Sequence, residues 1–187
     1  MQRFMVFVDG ENLTIRAQKW AESMNSTLIP SLYYRKDVYL WTVGGPYASP
    51  DLAAWHDEWI GGSPIRSFYY TSITGDSDEV TKVTEHLWAM GFQPEVFKKA
   101  RPDQKAKGVD IALTKDMLSH AFLGNYEIAI LVAGDGDYVP LVQEVKRLGK
   151  RVHLAFLNNG LNPDLKLACD RFIDLTTTFH HPGLVKS

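Results

Sequence analysis

The sequence predicts an α/β domain with a mainly parallel central sheet, on three observations. Short apolar runs of strand length alternate with longer segments whose apolar residues recur every three or four positions. One strand–helix–strand crossover, from Glu127 to Phe156, nearly fixes a parallel pair. The composition, 45% hydrophobic and 22% charged over 187 residues, suits one substantial globular domain.

Taken in order, Phe4-Met5-Val6-Phe7-Val8 reads as a buried strand. From Asn12, the residues Leu13, Ala17, Trp20 and Met24 fall on one helical face. Val38 to Val43 is a second strand, ended by Gly44-Gly45-Pro46, and Ser49-Pro50-Asp51 opens a helix running through Trp59. Ile65 to Ser72, β-branched and aromatic, is a third strand. Asp76-Ser77-Asp78 caps a helix carrying Val80, Val83, Leu87 and Met90, closed by Gly91. Pro94 to Lys98 is a short strand, Arg101 to Lys107 an exposed polar loop, and Val109 to Phe122 a helix. In the crossover, the strand Glu127 to Ala133 meets the turn Gly134-Asp135-Gly136-Asp137, and Pro140 lies in the first turn of the next helix. Gly149 ends that helix, and Arg151 to Phe156 is the next strand. Asn162-Pro163-Asp164 opens a short helix to Ala168, and Phe172-Ile173 adds an edge strand. From Thr176 the chain turns polar and is expected to fray, which divides it into a domain over 1–175 and a tail over 176–187.

A net charge of -2 excludes a globally polycationic protein, so any nucleic-acid footprint must be local. Cys169 is the only cysteine, which rules out an intrachain disulfide and an all-cysteine zinc site. The apolar start is broken at once by Asp9-Gly10-Glu11-Asn12, too short for a signal peptide, and no later run approaches a membrane span. A cytoplasmic protein without membrane attachment is the expectation. Homo-oligomerisation leaves no legible mark.

Two of the most apolar strands stop at aspartates: Val8 is followed by Asp9, and Ala133 by the turn holding Asp135 and Asp137. In open parallel sheets, ligands bind beyond the carboxyl ends of the strands, where the strand order reverses. If these strands are neighbours, the three aspartates share that edge, and Asp110 at the start of its helix can face the same crevice. Converging carboxylates repel one another unless a cation neutralises them. Oxygen donors without a His or Cys pair at zinc spacing favour Mg²⁺ or Mn²⁺, cations used to activate water and bind phosphate oxygens. Singly, each residue has a plainer reading: Asp9 and Asn12 fit a turn and a helix cap, Asp110 a cap, and Asp135 and Asp137 a turn complementing a helix dipole. Their joint position favours the metal site.

Asp9-Gly10-Glu11-Asn12, Lys107-Gly108-Val109-Asp110 and Gly134-Asp135-Gly136-Asp137-Tyr138 before Pro140-Leu141, with Leu165 to Phe172 as a closing pattern, resemble the NYN domain family in its LabA-like branch of the PIN-like nucleases. The resemblance runs in order from about Arg3 to Leu175. It implies a three-layer α/β/α, PIN-like (Rossmann-like) fold and a metal-dependent ribonuclease. Asp9, Asp110, Asp135 and Asp137 match the family's acidic positions and would be its metal ligands, with Asn12 beside them orienting a water or a carboxylate. Asp116 also falls where such sequences often carry aspartate, but six positions along a helix turn it about 120° away from Asp110. It reads as a supporting or solvated residue.

Lys98, Lys99, Arg101, Lys105 and Lys107 form the one clear basic stretch, interrupted only by Asp103. It leads into Asp110 and suits contacts to the phosphate backbone of RNA, expected to be single-stranded; the plainer reading is a solvated loop. Arg101, Lys105 and Lys107 are the candidate substrate-binding residues, Lys107 foremost because it also matches the family pattern. Tyr69 and Tyr70 can stack bases at the strand edge, though such a run more often packs on alternate faces. A non-catalytic RNA-binding or regulatory module with the same pocket is the alternative function. An aspartyl-nucleophile phosphatase is a weaker one, because that chemistry wants an aspartate where Glu11 stands.

Overall fold

The computed structural model describes residues 2–24, 26–28, 32–42, 63–101 and 108–185. The chain forms β1 (Phe4–Asp9), α1 (Gly10–Ser23), β2 (Ser26–Leu28), β3 (Leu32–Arg35), β4 (Tyr39–Thr42), β5 (Arg66–Thr74), α2 (Ser77–Ala89), β6 (Gln93–Lys99) and α3 (Val109–Phe122). There follow β7 (Ile128–Val132), a 3₁₀ turn (Gly136–Tyr138), α4 (Val139–Arg147), β8 (Arg151–Phe156), α5 (Pro163–Ala168), β9 (Arg171–Asp174), α6 (Thr176–Phe179) and β10 (His180–Val185).

The central sheet runs β6-β5-β1-β7-β8-β9, with every pair parallel. From β1 the chain builds outward through β5 and β6, then returns to place β7 on the other side of β1. The strand order therefore reverses between β1 and β7, which pair in the register Val8↔Val132.

Alternation along β1 divides the interior in two. Phe4, Val6 and Val8 pack with Leu13 and Ala17 of α1, Val83 and Leu87 of α2, and Leu40 and Trp41 of β4. Met5 and Phe7 pack on the opposite face with Val109, Leu113 and Met117 of α3, Leu141 and Val145 of α4, and Leu165 of α5. The result is a three-layer α/β/α fold. Side-chain caps start three of the helices: Asp9 accepts from the Asn12 N–H (3.0 Å), Asp76 from Glu79 (2.9 Å), and Asn162 from Asp164 and Leu165 (2.9 and 3.1 Å).

The structure corrects the sequence reading in two places. The strand expected at Val38–Val43 does not join the parallel sheet: β4 pairs antiparallel with β3, through a turn in which Asp37 adopts φ 57°. Gln18 of α1 holds that turn, donating from Nε2 to the Asp37 carboxylate (2.6 Å) and accepting the Asp37 N–H (2.8 Å). The chain expected to fray from Thr176 instead begins with α6, whose Phe179 is 1% exposed against Trp41 at 6.0 Å between ring centroids. β10 then pairs antiparallel with β2. The helix expected at 49–59 and most of the loop at 101–107 lie outside the described residues.

Phe179 offers a direct test of the second correction. Phe179→Ala should lower unfolding free energy by roughly 3–5 kcal/mol in urea titrations, the cost of emptying a large core site. A side chain in a frayed tail would cost under about 0.5 kcal/mol.

Candidate active site

Because β1 and β7 are neighbours, Asp9 and the turn after Val132 leave the sheet at one edge, at the point of order reversal. Asp9 is 3% exposed. Its Oδ1 accepts the Asn12 N–H, and its Oδ2 accepts the Tyr138 hydroxyl at 2.8 Å. The same hydroxyl lies 3.1 Å from Oδ1 of Asp110, at the start of α3. Three elements distant in sequence thus converge on one phenolic oxygen. Burial pushes the Asp9 carboxyl up to about 7, against the hydrogen bonds from Asn12 and Tyr138 and with the help of Asp110 and Glu11. Burial, then the two carboxylates, drives the Tyr138 hydroxyl far above its ordinary value.

Glycines allow this close approach. A Cβ at Gly10 would overlap the ring of Tyr69, which is fully buried beneath the start of α1. A Cβ at Gly134 would overlap Phe156 of β8. Gly134 is also held from two sides: its N–H donates to the Asn12 side-chain oxygen and its carbonyl accepts the Asn162 N–H, both at 3.0 Å. Beyond it, Asp135 caps the 3₁₀ turn by accepting the Asp137 N–H at 3.2 Å. Asp135 is half-buried and Asp137 exposed.

The structure thus joins Asp9 and Asp110 through Tyr138 and sets Asp135 and Asp137 on the adjoining turn. Among the described residues, no group of three His, Cys, Asp or Glu side chains is arranged to hold a metal ion. Asn12 orients the Asp9 carboxylate with its backbone N–H, while its side chain fastens the Gly134 turn. Asp116 accepts the Tyr70 hydroxyl at 2.9 Å and lies 3.2 Å from Lys115 Nζ. Tyr69 and Tyr70 are both fully buried, in the cores on opposite faces of the sheet, so they pack rather than stack bases.

The basic stretch divides. Lys98 and Arg101 are exposed, whereas Lys99 is buried and pairs with Glu11 at 2.9 Å. Ser72 donates to the other Glu11 oxygen at 2.7 Å. Lys99 is therefore a structural cation beside the site and not a solvated phosphate contact. Lys105 and Lys107 lie outside the described residues. Sequence reasoning missed Tyr138 and the Glu11–Lys99–Ser72 cluster. The available signal for Tyr138 was a hydroxyl-bearing aromatic next to Asp137; for Lys99, its odd place in a strand whose neighbour Lys98 must face the other way.

The donor type at this edge, carboxylate oxygen, is the type hard cations take. The hydrogen bonds to buried Asp9 come from a backbone N–H and a phenol, neither carrying positive charge, and four carboxylates occupy one edge.

The sequence profile of the NYN domain matches residues 3–176. This chain belongs to the NYN domain family. NYN domains are part of the PIN-like nuclease superfamily, are generally nucleases acting on RNA, and such nucleases generally use divalent metals. The NYN fold recurs in a crystal structure of a protein of unknown function from Vibrio parahaemolyticus, with TM-score 0.62, 21% identity and 96% of each chain covered. No curated protein matches this NYN domain significantly. Among its described residues, no helix is long and apolar enough to cross a membrane.

The raised Asp9 value sets a pH dependence in EDTA. Its neutral form is favoured by the fold, so this contribution is present below the unfolded value near 3.8 and is lost as pH rises through about 7. Asp9→Asn removes the effect. The stability difference, variant minus wild type, should climb between pH 4 and 7 at roughly 1.4 kcal/mol per unit as an upper slope. Urea unfolding at stepped pH measures it, and parallel profiles would contradict the buried carboxyl.

Proposed function

We propose that this NYN domain is a metal-dependent ribonuclease of the LabA-like branch, hydrolysing phosphodiester bonds of single-stranded RNA in the cytoplasm. The observation that carries the reading is the meeting of Asp9 and Asp110 on one buried hydroxyl, at the edge where Asp135 and Asp137 also emerge. Asp9, Asp110, Asp135 and Asp137 would hold Mg²⁺ or Mn²⁺. Bound there, the cation supplies a more acidic water and stabilises charge developing on the phosphate oxygens. Asp9 sits in a desolvated setting that strengthens its attraction for a cation, and the Asn12 N–H fixes its orientation. Asp135, held by its cap to the Asp137 N–H, presents the turn at a fixed height above the sheet. The segment from Lys98 to Lys107 runs directly into Asp110, and its members Arg101, Lys105 and Lys107 contact the phosphate backbone, giving affinity without sequence choice.

A non-catalytic RNA-binding module is the second reading, favoured by the lack of a ready-made three-ligand cluster among the described residues. The phosphatase reading loses ground, because Glu11 is tied to Lys99 and Ser72 and cannot serve as acid and base.

Asp135→Asn keeps the shape of the turn and removes one negative charge. It should abolish Mn²⁺-dependent cleavage of a single-stranded RNA and blunt the rise in Tm that Mn²⁺ gives the wild type. Equal metal-induced stabilisation in both proteins would remove Asp135 from the site, and cleavage persisting in EDTA would remove the metal. Wild-type RNA binding with no turnover in either metal would support the module instead.

Lys107→Ala should weaken RNA binding with little effect on Tm and shallow the salt slope by about one counterion, read by filter binding across salt. An unchanged affinity and slope would dismiss its phosphate contact.

A further inference from the structure

The Tyr138 hydroxyl is in hydrogen-bond contact with both Asp9 and Asp110. Tyr138 is 2% exposed, and its ring belongs to the core shared by α3, α4 and β1. It stands at the end of the 3₁₀ turn, so its backbone is positioned by the Asp135 cap and the clamp on Gly134. Its oxygen is 2.8 Å from Asp9 Oδ2 and 3.1 Å from Asp110 Oδ1. A phenol has one proton and donates to one carboxylate at a time. The other Asp9 oxygen is occupied by the Asn12 N–H, so both oxygens of that carboxylate are oriented by fixed donors.

We propose that Tyr138 is a positioning residue, whose hydroxyl fixes the Asp9 carboxylate beside that of Asp110 in the orientation from which both can take a divalent cation. The inference rests on the metal-site reading above and adds a residue to it. Two carboxylates on separate elements repel one another. A rigid neutral donor bonded to one of them restrains that one against the repulsion without contributing charge of its own. With a cation bound, the hydroxyl keeps its bond to one carboxylate, as outer partners of metal ligands do, and loss of such partners generally costs about 10–100-fold in affinity. The ring is a separate matter. It fills the core whether or not the oxygen is present, so Tyr138→Phe removes the positioning function and leaves the packing.

The test is Mn²⁺ binding by isothermal titration calorimetry, without RNA, on wild type, Tyr138→Phe and Tyr70→Phe. Tyr70 serves as control because its buried hydroxyl is also bonded to a carboxylate on α3, that of Asp116. Tyr138→Phe should raise the Mn²⁺ Kd by about 10–100-fold, with an EDTA thermal melt showing a single cooperative transition. Tyr70→Phe should bind as the wild type does. An unchanged or tighter Kd in Tyr138→Phe overturns the proposal while leaving the metal site standing. A matched loss in both variants overturns it as well, by showing a general response to a missing buried hydroxyl. If wild type itself binds no Mn²⁺, both the metal-site reading and this inference fall. Should Tyr138→Phe not fold, Tyr138→Met, a flexible apolar side chain without a donor, is read against the same outcomes.

Discussion

The edge of this sheet depends on Gly134 being held between two asparagines. Its N–H reaches the Asn12 side chain at the start of α1, and its carbonyl takes the Asn162 N–H at the start of α5. The missing side chain lets Phe156 press against the backbone, so the turn cannot shift without disturbing the core below. Through this one residue, helices on opposite faces of the sheet are fastened to the loop that carries Asp135, Asp137 and Tyr138. Asp9, the last residue of β1 and one past its pairing with β7, then faces a partner whose height is already set. The acidic edge inherits its geometry from backbone hydrogen bonds and close packing, which suits carboxylates that would otherwise drift apart.

Charge near the site follows a similar division. Glu11 lies two residues from Asp9, yet its carboxylate turns to Lys99 and Ser72 on the β5–β6 side. The side chains of Lys99 and Glu11 are only 5% and 12% exposed, so losing either would strand a poorly hydrated charge. The pair ties α1 to β6, while Glu11 still adds a small part of the push on Asp9, after burial and Asp110. Burial then leaves Asp9 as the carboxyl whose ionisation the fold resists, and a cation is the means of recovering it.

Much of this was legible in the sequence. Strongly apolar strands and helices with clear caps stand close to where periodicity puts them; α3 spans Val109–Phe122 as expected, and β8 spans Arg151–Phe156. The neighbouring of β1 and β7 was a condition of the acidic-site reading that the sequence left open, and the register Val8↔Val132 meets it. What stayed hidden depended on pairing at a distance. Tyr39–Thr42 has the same strand character whether it joins a parallel sheet or a hairpin, and only its contacts with α1 and β3 decide. Phe179 was masked by the polar residues around it, although one aromatic is enough to anchor a short segment. Tyr138 looks like any core aromatic until its hydroxyl is seen between two carboxylates. Lys99 sits among exposed cations in the sequence, and the alternation of the strand alone buries it.

The topology also dictates the order in which the molecule can be assembled. β1 has β5 on one side and β7 on the other, and the Arg3–Glu127 bond beside the second pairing spans 124 residues. At translation rates of about 5–20 residues per second, Phe4-Met5-Val6-Phe7-Val8 waits on the order of ten seconds for its second neighbour. During that wait it is an uncharged, β-prone segment with unsatisfied edges, the kind that associates with its like. The strand at the centre of the finished sheet is thus also the one whose second edge waits longest for a partner as the chain is made.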